Sequence, residues 1–156
     1  MTAPIPDRLA CLQRKLDSMP PVRALGFRAA AFDSEVLRLS GPLAANVNDK
    51  GSAFGGSLAG LLTLSAWGLV DLHLAEAGFA DAEVYVQDST LRYLAPLYGE
   101  LHAEARLAPG QSWEEFLTTY RSRGKARATL AAVVTLPDGS PATTMEGRFV
   151  ALRPKA

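Results

Sequence analysis

The segment that offers the clearest chemistry is a glycine pair, Gly55-Gly56, at the point where a polar loop becomes a long apolar run. The periodicity predicts that a helix begins there, and the free amides at the start of a helix attract negative charge. A carbonyl under nucleophilic attack gains an oxyanion, which fixed donors stabilise by roughly 3 kcal/mol. Glycine also lets a substrate approach the main chain closely. The alternative is a glycine pair that serves only the turn and the packing of the helix.

Three other polar residues are candidates for handling a water molecule. Asp88 interrupts the β-forming run 86–90, where Asp is disfavoured, and is a candidate general base. Its alternative role is that of an outward-facing residue that pairs with Arg92 or limits edge pairing. Asn48 could hold a water or a carbonyl, although loop asparagines commonly cap their own turn. Thr63 could orient a water, although a helical threonine more often faces its own main chain.

A nucleophilic triad and a metal centre are both disfavoured. Ser57, Asp88 and His102 occur in hydrolase order, but 156 residues are too few for an α/β-hydrolase, and a polar loop precedes Ser57. His102 lies on the polar side of an alternating strand, and His73 is equally unpromising. Two histidines and one cysteine, widely separated, give no metal-ligand spacing. We therefore expect no metal and no separate cofactor.

The elements that must position these residues form a mixed pattern of helices and strands. Apolar residues recur at a period of about 3.6 in some segments and of 2 in others. Turn residues and a capping box separate the segments. The predicted elements are a surface helix over 9–19 ended by Pro20-Pro21, a hairpin over 25–43 turning at Asp33-Ser34, a long helix over 55–77 closed by Gly78, strands over 82–94 and 100–107, a helix after the capping box 112–115, and strands over 125–136 and 142–152.

The long helix decides the architecture. It is apolar around almost its whole circumference, which predicts that a sheet encloses it. Residues 53–70 carry no charge over about the length that spans a bilayer, so a membrane helix is the alternative. Four glycines in that run and the absence of flanking basic residues argue against a membrane helix. We expect an α+β fold and a single domain over 1–156, with 1–21 as a helical lead-in and a curved antiparallel sheet around one buried helix.

Composition bounds the partners and the compartment. Apolar residues make up 48% of the chain, and sixteen basic residues balance sixteen acidic ones, so no net charge draws the protein to nucleic acid or to an anionic membrane. Cys11 has no partner for a disulfide and the N-terminus has no apolar leader, so we expect a cytoplasmic protein. A stripe of alternating basic residues could bind phosphate groups or be only the solvated face of a sheet. Its residues are Arg121, Arg123, Lys125 and Arg127.

Several motifs together resemble the hotdog-fold thioesterase superfamily, over roughly residues 22 to 152. The spacing of Asn48, Gly51 and Gly55-Gly56 is similar to the loop that leads into the helix of its phenylacetyl-CoA-thioesterase-like branch. More narrowly, Phe-Gly-Gly-Ser with a later Trp-Gly resembles the branch labelled putative thioesterase, also found fused behind acetyltransferase domains. The similarity continues through Tyr93-Leu94-Ala95-Pro96, Gly99-Glu100-Leu101-His102-Ala103, Asp138-Gly139 and Gly147-Arg148-Phe149-Val150.

The resemblance implies a hotdog fold and hydrolysis of acyl thioesters at a site between two subunits. The implied assembly is a homodimer or a dimer of dimers, without nucleic-acid or membrane partners. Coenzyme A or the phosphopantetheine of a carrier protein would enter as part of the substrate. Gly55 and Gly56 would bind the carbonyl, and Asp88 of the other subunit, with Asn48, would manage the water. The implied substrate-binding residues are Phe54, Ser57, Thr63, Ser89 and Tyr93.

Two departures from the family pattern lie in the helix. Phe54 stands where relatives have His, and Thr63, nine residues later, stands where many relatives have Asp or Glu. The missing acid keeps open a second hypothesis, a hotdog dimer that binds an acyl thioester or a hydrophobic small molecule without hydrolysing it. A dehydratase is disfavoured because neither His73 nor His102 lies at the start of the helix.

Overall fold

A computed structural model of the chain describes residues 5–155. One long helix packs against a curved, six-stranded antiparallel sheet, which is the predicted hotdog fold. The elements are α1 (Ile5–Ser18), α2 (Pro20–Leu25), β1 (Arg28–Phe32), β2 (Leu37–Gly41), α3 (Gly55–Glu76), β3 (Glu83–Tyr93), β4 (Leu101–Leu107), α4 (Trp113–Arg123), β5 (Lys125–Thr135) and β6 (Pro141–Leu152).

The α2 helix was not predicted. Pro20-Pro21 end α1 as expected, but they also begin α2. Met19 is extended, with φ −94° and ψ 111°, as is usual before proline, and a proline suits the first helical position because its missing N–H has no helical acceptor there. The helix ends at Gly26, which has a φ of 70°. The helical lead-in therefore continues to Leu25.

The core lies between the sheet and α3. On β4 the side chains of Leu101, Ala103 and Ala105 are buried while His102 and Arg106 are exposed, which confirms the predicted alternation. The strand order is β1-β2-β4-β5-β6-β3, with every neighbouring pair antiparallel. The curved sheet thus presents one apolar face to α3.

α3 is the core helix that its composition predicts. It is long and apolar enough to cross a membrane, but 61% of its most apolar window is buried inside the fold. Gly68 lets other elements come close, since a side-chain carbon there would lie 2.8 Å from Leu37 and 3.2 Å from Leu12. The enclosure is therefore shared between the sheet and α1.

The two edge strands differ. β1 has five residues and a bulge between Ala29 and Ala31. The Gln13 side chain of α1 covers its main chain: Oε1 accepts from the Ala29 amide at 2.7 Å and Nε2 donates to the Phe27 carbonyl at 3.2 Å. β3 has eleven residues and pairs, within residues 5–155, with β6 alone. The β3 edge is thus long and open.

Candidate functional site

The start of α3 leaves its first amides open. Phe54, the residue before the helix, is extended and provides no side-chain cap. Its own amide donates to the Asn46 carbonyl at 2.7 Å, and the Ala53 amide donates to the Leu97 carbonyl at 2.8 Å. In the part of the chain that the structure describes, the amides of Gly55 and Gly56 donate to no acceptor. They are available to a ligand, and the helix dipole favours a negative one.

Two asparagines hold the loop that delivers the chain to α3. Asn48 Oδ1 accepts from the amides of Lys50 at 2.8 Å and Ser52 at 3.1 Å, and Asn48 Nδ2 donates to Ser52 Oγ at 2.9 Å. Asn48 therefore caps its own turn, which leaves one of its amide hydrogens for a ligand. Sequence reasoning missed Asn46, which is buried and donates to the carbonyls of Leu25 and Pro42. Its signal was an asparagine in a loop of turn formers.

Two aromatic rings flank the open amides. The Phe54 ring folds back over the helix start, so that a side-chain carbon at Gly56 would lie 2.5 Å from Phe54 Cε2. Tyr93, at the end of β3, donates through its hydroxyl to the Gly55 carbonyl at 3.3 Å. Phe54 is 53% exposed and Tyr93 57%. Both predicted substrate-binding residues therefore border the amides and face solvent.

These rings belong to a larger exposed apolar rim. Leu94 follows Tyr93 directly, Tyr98 follows Leu97, whose carbonyl binds Ala53, and Val47 forms an isolated bridge with Ala53. Large apolar residues are normally covered, and a cluster of them marks a contact surface. The rim residues are Val47, Phe54, Tyr93, Leu94 and Tyr98, each between 45% and 65% exposed.

Asp88 lies on the outer face of the sheet. A bulge between Val86 and Asp88 places Asp88 opposite the exposed Arg148, whereas Ser89 lies opposite the buried Gly147 on the α3 side. Without the extra residue, Asp88 would share the inner face with Val86. The bulge residue Gln87 accepts on the outer face from Arg127 Nε at 2.9 Å. The role of Asp88 as general base stays a prediction, and its side chain faces away from α3.

Thr63 does not follow the interpretation that the sequence favoured. We expected its hydroxyl to bond to the main chain of its own helix, as Ser65 does with the Leu61 carbonyl at 2.7 Å. Thr63 Oγ1 instead lies 3.9 Å from Met145 Sδ across the core, a weak contact. Its hydroxyl therefore remains available on the sheet side of α3. Ser57, by contrast, is almost fully buried, with 2% exposure.

The two acids of α3, Asp71 and Glu76, lie in the opposite half of the helix. Asp71 is 7% exposed and contacts Lys15 Nζ through both carboxylate oxygens, at 2.7 and 2.9 Å. Burial raises the pKa of Asp71, and the contact with Lys15 opposes that shift. Within residues 5–155, no group of three His, Cys, Asp or Glu side chains is placed to hold a metal ion.

A family model and two of three similar solved structures point to thioesterases. A family model described as putative thioesterase (yiiD_Cterm) matches residues 9–153. A protein of unknown function from Chlorobaculum tepidum is 27% identical with a TM-score of 0.89, over 96% of this chain and 97% of that one. A putative thioesterase from Shewanella oneidensis is 26% identical with a TM-score of 0.83, over 94% and 99%. A probable thioesterase from Pseudomonas aeruginosa is 25% identical with a TM-score of 0.75, over 97% of both chains.

Proposed function

The chain belongs to the putative thioesterase family, and on that premise we propose that it hydrolyses acyl thioesters whose carbonyl binds at the start of α3. Family membership supports thioesterase activity in general. The observation that carries the finer proposal is the pair of open amides at Gly55 and Gly56, which two exposed aromatic rings border. When water adds to the carbonyl carbon, the oxygen becomes an oxyanion and accepts from these amides. The intermediate then collapses, and the thiol leaves with a proton that comes from the water.

We propose that a second copy of the chain completes the site by pairing along β3. The β3 edge is eleven residues long, and exposed apolar side chains occur at both of its ends, Tyr85 and Val86 near one and Tyr93 near the other. An open edge of this kind is a template for another strand. If two copies of β3 paired antiparallel, the exposed apolar rim of each subunit would lie against the partner subunit. A pair of such dimers is the further assembly that we propose.

The water in this proposal is oriented by hydroxyl groups on the inner side of the sheet. Thr63 and Ser89 both lie on that side, in the helix and on the edge strand respectively. Asp88, predicted for this task, lies on the outer face, and three of the four hydrogen-bonding positions of Asn48 are used by its own turn. Catalysis here therefore relies on the oxyanion donors and on positioning, because no carboxylate replaces the usual helix acid.

The remaining features of the proposal follow from the substrate. The acyl group is carried by coenzyme A or by the phosphopantetheine of a carrier protein, with no separate cofactor. The only cysteine, Cys11, is free and exposed, which suits a reducing compartment such as the cytoplasm. Nucleic acid and membrane are not partners in this proposal.

The test removes one amide hydrogen without disturbing the helix. Gly55→Pro deletes the donor at the first helical position, where proline is favoured, and the extended Phe54 before it already suits a following proline. We expect kcat for acyl-CoA hydrolysis, followed by thiol release, to fall by about 10²- to 10³-fold. Gly55→Ala is the matched control, because it adds a side chain and keeps the amide hydrogen. Equal activity of the two variants would exclude the Gly55 amide as the oxyanion donor.

Asp88→Asn tests the alternative assignment of the base. Because the bulge directs Asp88 outward, we expect this variant to retain most of the wild-type kcat, and Asp81→Asn, another exposed acid, serves as its control. Loss of turnover in Asp88→Asn alone would restore Asp88 as the general base. It would also require β3 to turn when the subunits associate.

A second function, acyl-thioester binding without hydrolysis, is favoured by one observation. No carboxylate lies on the inner face of the sheet beside the open amides in the described residues. Saturable binding of acyl-CoA without thiol release would identify the protein as such a binding module.

A further inference from the structure

A partly buried ion pair lies between two cavities along α3. Lys15 of α1 and Asp71 of α3 contact each other at 2.7 Å, and both residues line both cavities. Asp71 is 7% exposed, so it retains little solvent, whereas the Lys15 side chain is 42% exposed. The ion pair is therefore a polar boundary that the two cavities share.

The cavity on one side of the pair is apolar and opens beside the edge strand. It has a volume of ≈ 350 Å³, and its apolar wall is formed by Met19, Trp67, Ala82, Val84 and Tyr85. The Trp67 ring is held there by a hydrogen bond from its Nε1 to the Val84 carbonyl at 3.0 Å. We name this space the outer cavity. Its place at the start of β3 puts it next to the open edge of the sheet.

The cavity on the other side of the pair is larger and lies at the C-terminal end of α3. It has a volume of ≈ 570 Å³ and is lined between the ion pair and the end of α3 by Leu12, Leu72 and Ala75. A second ion pair, Arg8 with Glu76 at 2.8 Å, lies at its border. We name this space the inner cavity. It would be continuous with the outer cavity if the Lys15 and Asp71 bridge were apolar.

The proposed dimer brings the outer cavity to the substrate. In an antiparallel pair of β3 strands, the Glu83 end of one strand meets the Tyr93 end of the other. Tyr93 contacts the start of its own α3, so the carbonyl site of one subunit would lie beside the outer cavity of its partner. This step rests on the proposed function and its dimer.

We propose that the outer cavity holds the acyl chain of the thioester bound to the partner subunit, and that the Lys15–Asp71 pair limits its length. An aliphatic chain gains affinity for each methylene that leaves water, about fourfold per methylene. A chain that reached the ion pair would strip it of its remaining water and offer no hydrogen bond in return. The gain per methylene therefore stops where the chain meets the pair.

The first test removes the ion pair as a whole, because deleting Lys15 alone would leave the Asp71 carboxylate buried without its partner. Lys15→Met with Asp71→Leu joins the two cavities through an apolar passage. For a series of straight-chain acyl-CoAs, we expect wild-type kcat/KM to rise with chain length and then level off. In the double variant we expect kcat/KM to continue rising by about fourfold for each further methylene. The control, Arg38→Met with Glu104→Leu, removes an ion pair on the outer face of the sheet, where the two side chains lie 2.9 Å apart. An unchanged length at which the rise stops in a folded double variant would overturn the proposal.

A second variant acts in the opposite direction and needs no change to the pair. Ala82→Leu fills part of the outer cavity, so we expect the rise in kcat/KM to stop at a shorter chain, with the shortest substrates affected least. Ala131→Leu, at a half-buried alanine on the outer face of the sheet, is the matched control. The same profile in both alanine variants would exclude the outer cavity as the acyl site.

A binding measurement separates this proposal from the proposed function. Displacement of cis-parinaric acid by straight-chain fatty acids of increasing length measures their affinity for wild type and for each variant, without any turnover. One outcome is that wild type releases no thiol from any acyl-CoA while the fatty-acid affinities depend on chain length and shift in the two variants as described. That result would contradict the proposed hydrolysis and support the outer cavity as the acyl site. If thiol is released and neither variant changes the length dependence of turnover or of displacement, hydrolysis is supported and the outer cavity is excluded as the acyl site.

Discussion

The two edges of the sheet differ in how their main chain is satisfied. β1 is short and bulged, and the Gln13 side chain of α1 accepts from one of its amides and donates to the carbonyl just before it. β3 is more than twice as long, pairs only with β6 in the described residues, and has exposed Tyr85, Val86 and Tyr93. The β1 edge needs no second chain because Gln13 already binds main-chain groups there, whereas the open apolar β3 edge can pair with another strand. The fold therefore ends at β1, and β3 is the edge at which we propose that a second copy pairs.

The largest expected effect comes from charging the open edge. Val86→Lys with Thr90→Lys places two lysines on each β3, both at exposed positions, so two paired copies would bring like charges together. We expect the variant to be monomeric by sedimentation and to lose nearly all thioesterase activity, because the site lacks its second subunit.

Ala30→Lys is the control for this change, since it charges an exposed position on the covered edge. It should sediment and hydrolyse as wild type does. If Ala30→Lys abolished assembly and the β3 variant did not, the subunit interface would lie at the β1 edge and not at the β3 edge.

The next effect concerns the covered edge. Gln13→Ala removes the acceptor for the Ala29 amide and the donor for the Phe27 carbonyl, which leaves two partly buried main-chain groups without protein partners. We expect the free energy of unfolding in a urea titration to fall by about 1–3 kcal/mol. Gln87→Ala, at an exposed residue of β3, is the control and should change it by less than about 0.5 kcal/mol. If both variants were equally stable, Gln13 would not be protecting the edge.

The smallest effect is a pH dependence at the end of the β1–β2 hairpin. Burial lowers the pKa of His73, whose ring stacks on Trp113 at 3.9 Å. Its Nε2–H donates to the Ser34 carbonyl at 2.8 Å; this hydrogen bond and nearby Glu76 and Glu35 oppose the lowering of the pKa, and Arg8 adds to it. Because the unfolded chain binds the proton more readily, stability is complete above about pH 6.5 and declines as the pH falls toward the folded-state pKa. We expect His73→Gln to have a shallower loss of stability between about pH 6.5 and pH 5 than wild type. An identical slope in both proteins would mean that His73 has the same pKa in the folded and unfolded states.

Much of the fold could be predicted from periodicity alone. The strict alternation of Leu101, Ala103 and Ala105 and the uncharged run of α3 each fix an element and its buried face. α2 was missed because a proline pair both ends one helix and begins another, and the sequence shows only the interruption.

The site was less predictable because it depends on single-residue register. Gly55 and Gly56 could be placed, since the change from loop to helix is visible in the composition. The face of Asp88 could not, because one extra residue in the β3 bulge reverses the alternation that Val84 and Val86 begin. The direction of the Thr63 hydroxyl likewise depends on Met145, which lies 82 positions away in the chain.

The most direct test of the account is sedimentation of the active protein at assay concentration, with thiol release followed in the same cell. We expect activity to sediment with a mass of at least two chains of 16.6 kDa each, and activity per chain to fall when dilution separates them. Full activity in a species of 16.6 kDa would contradict it, because the site would then be complete in one chain.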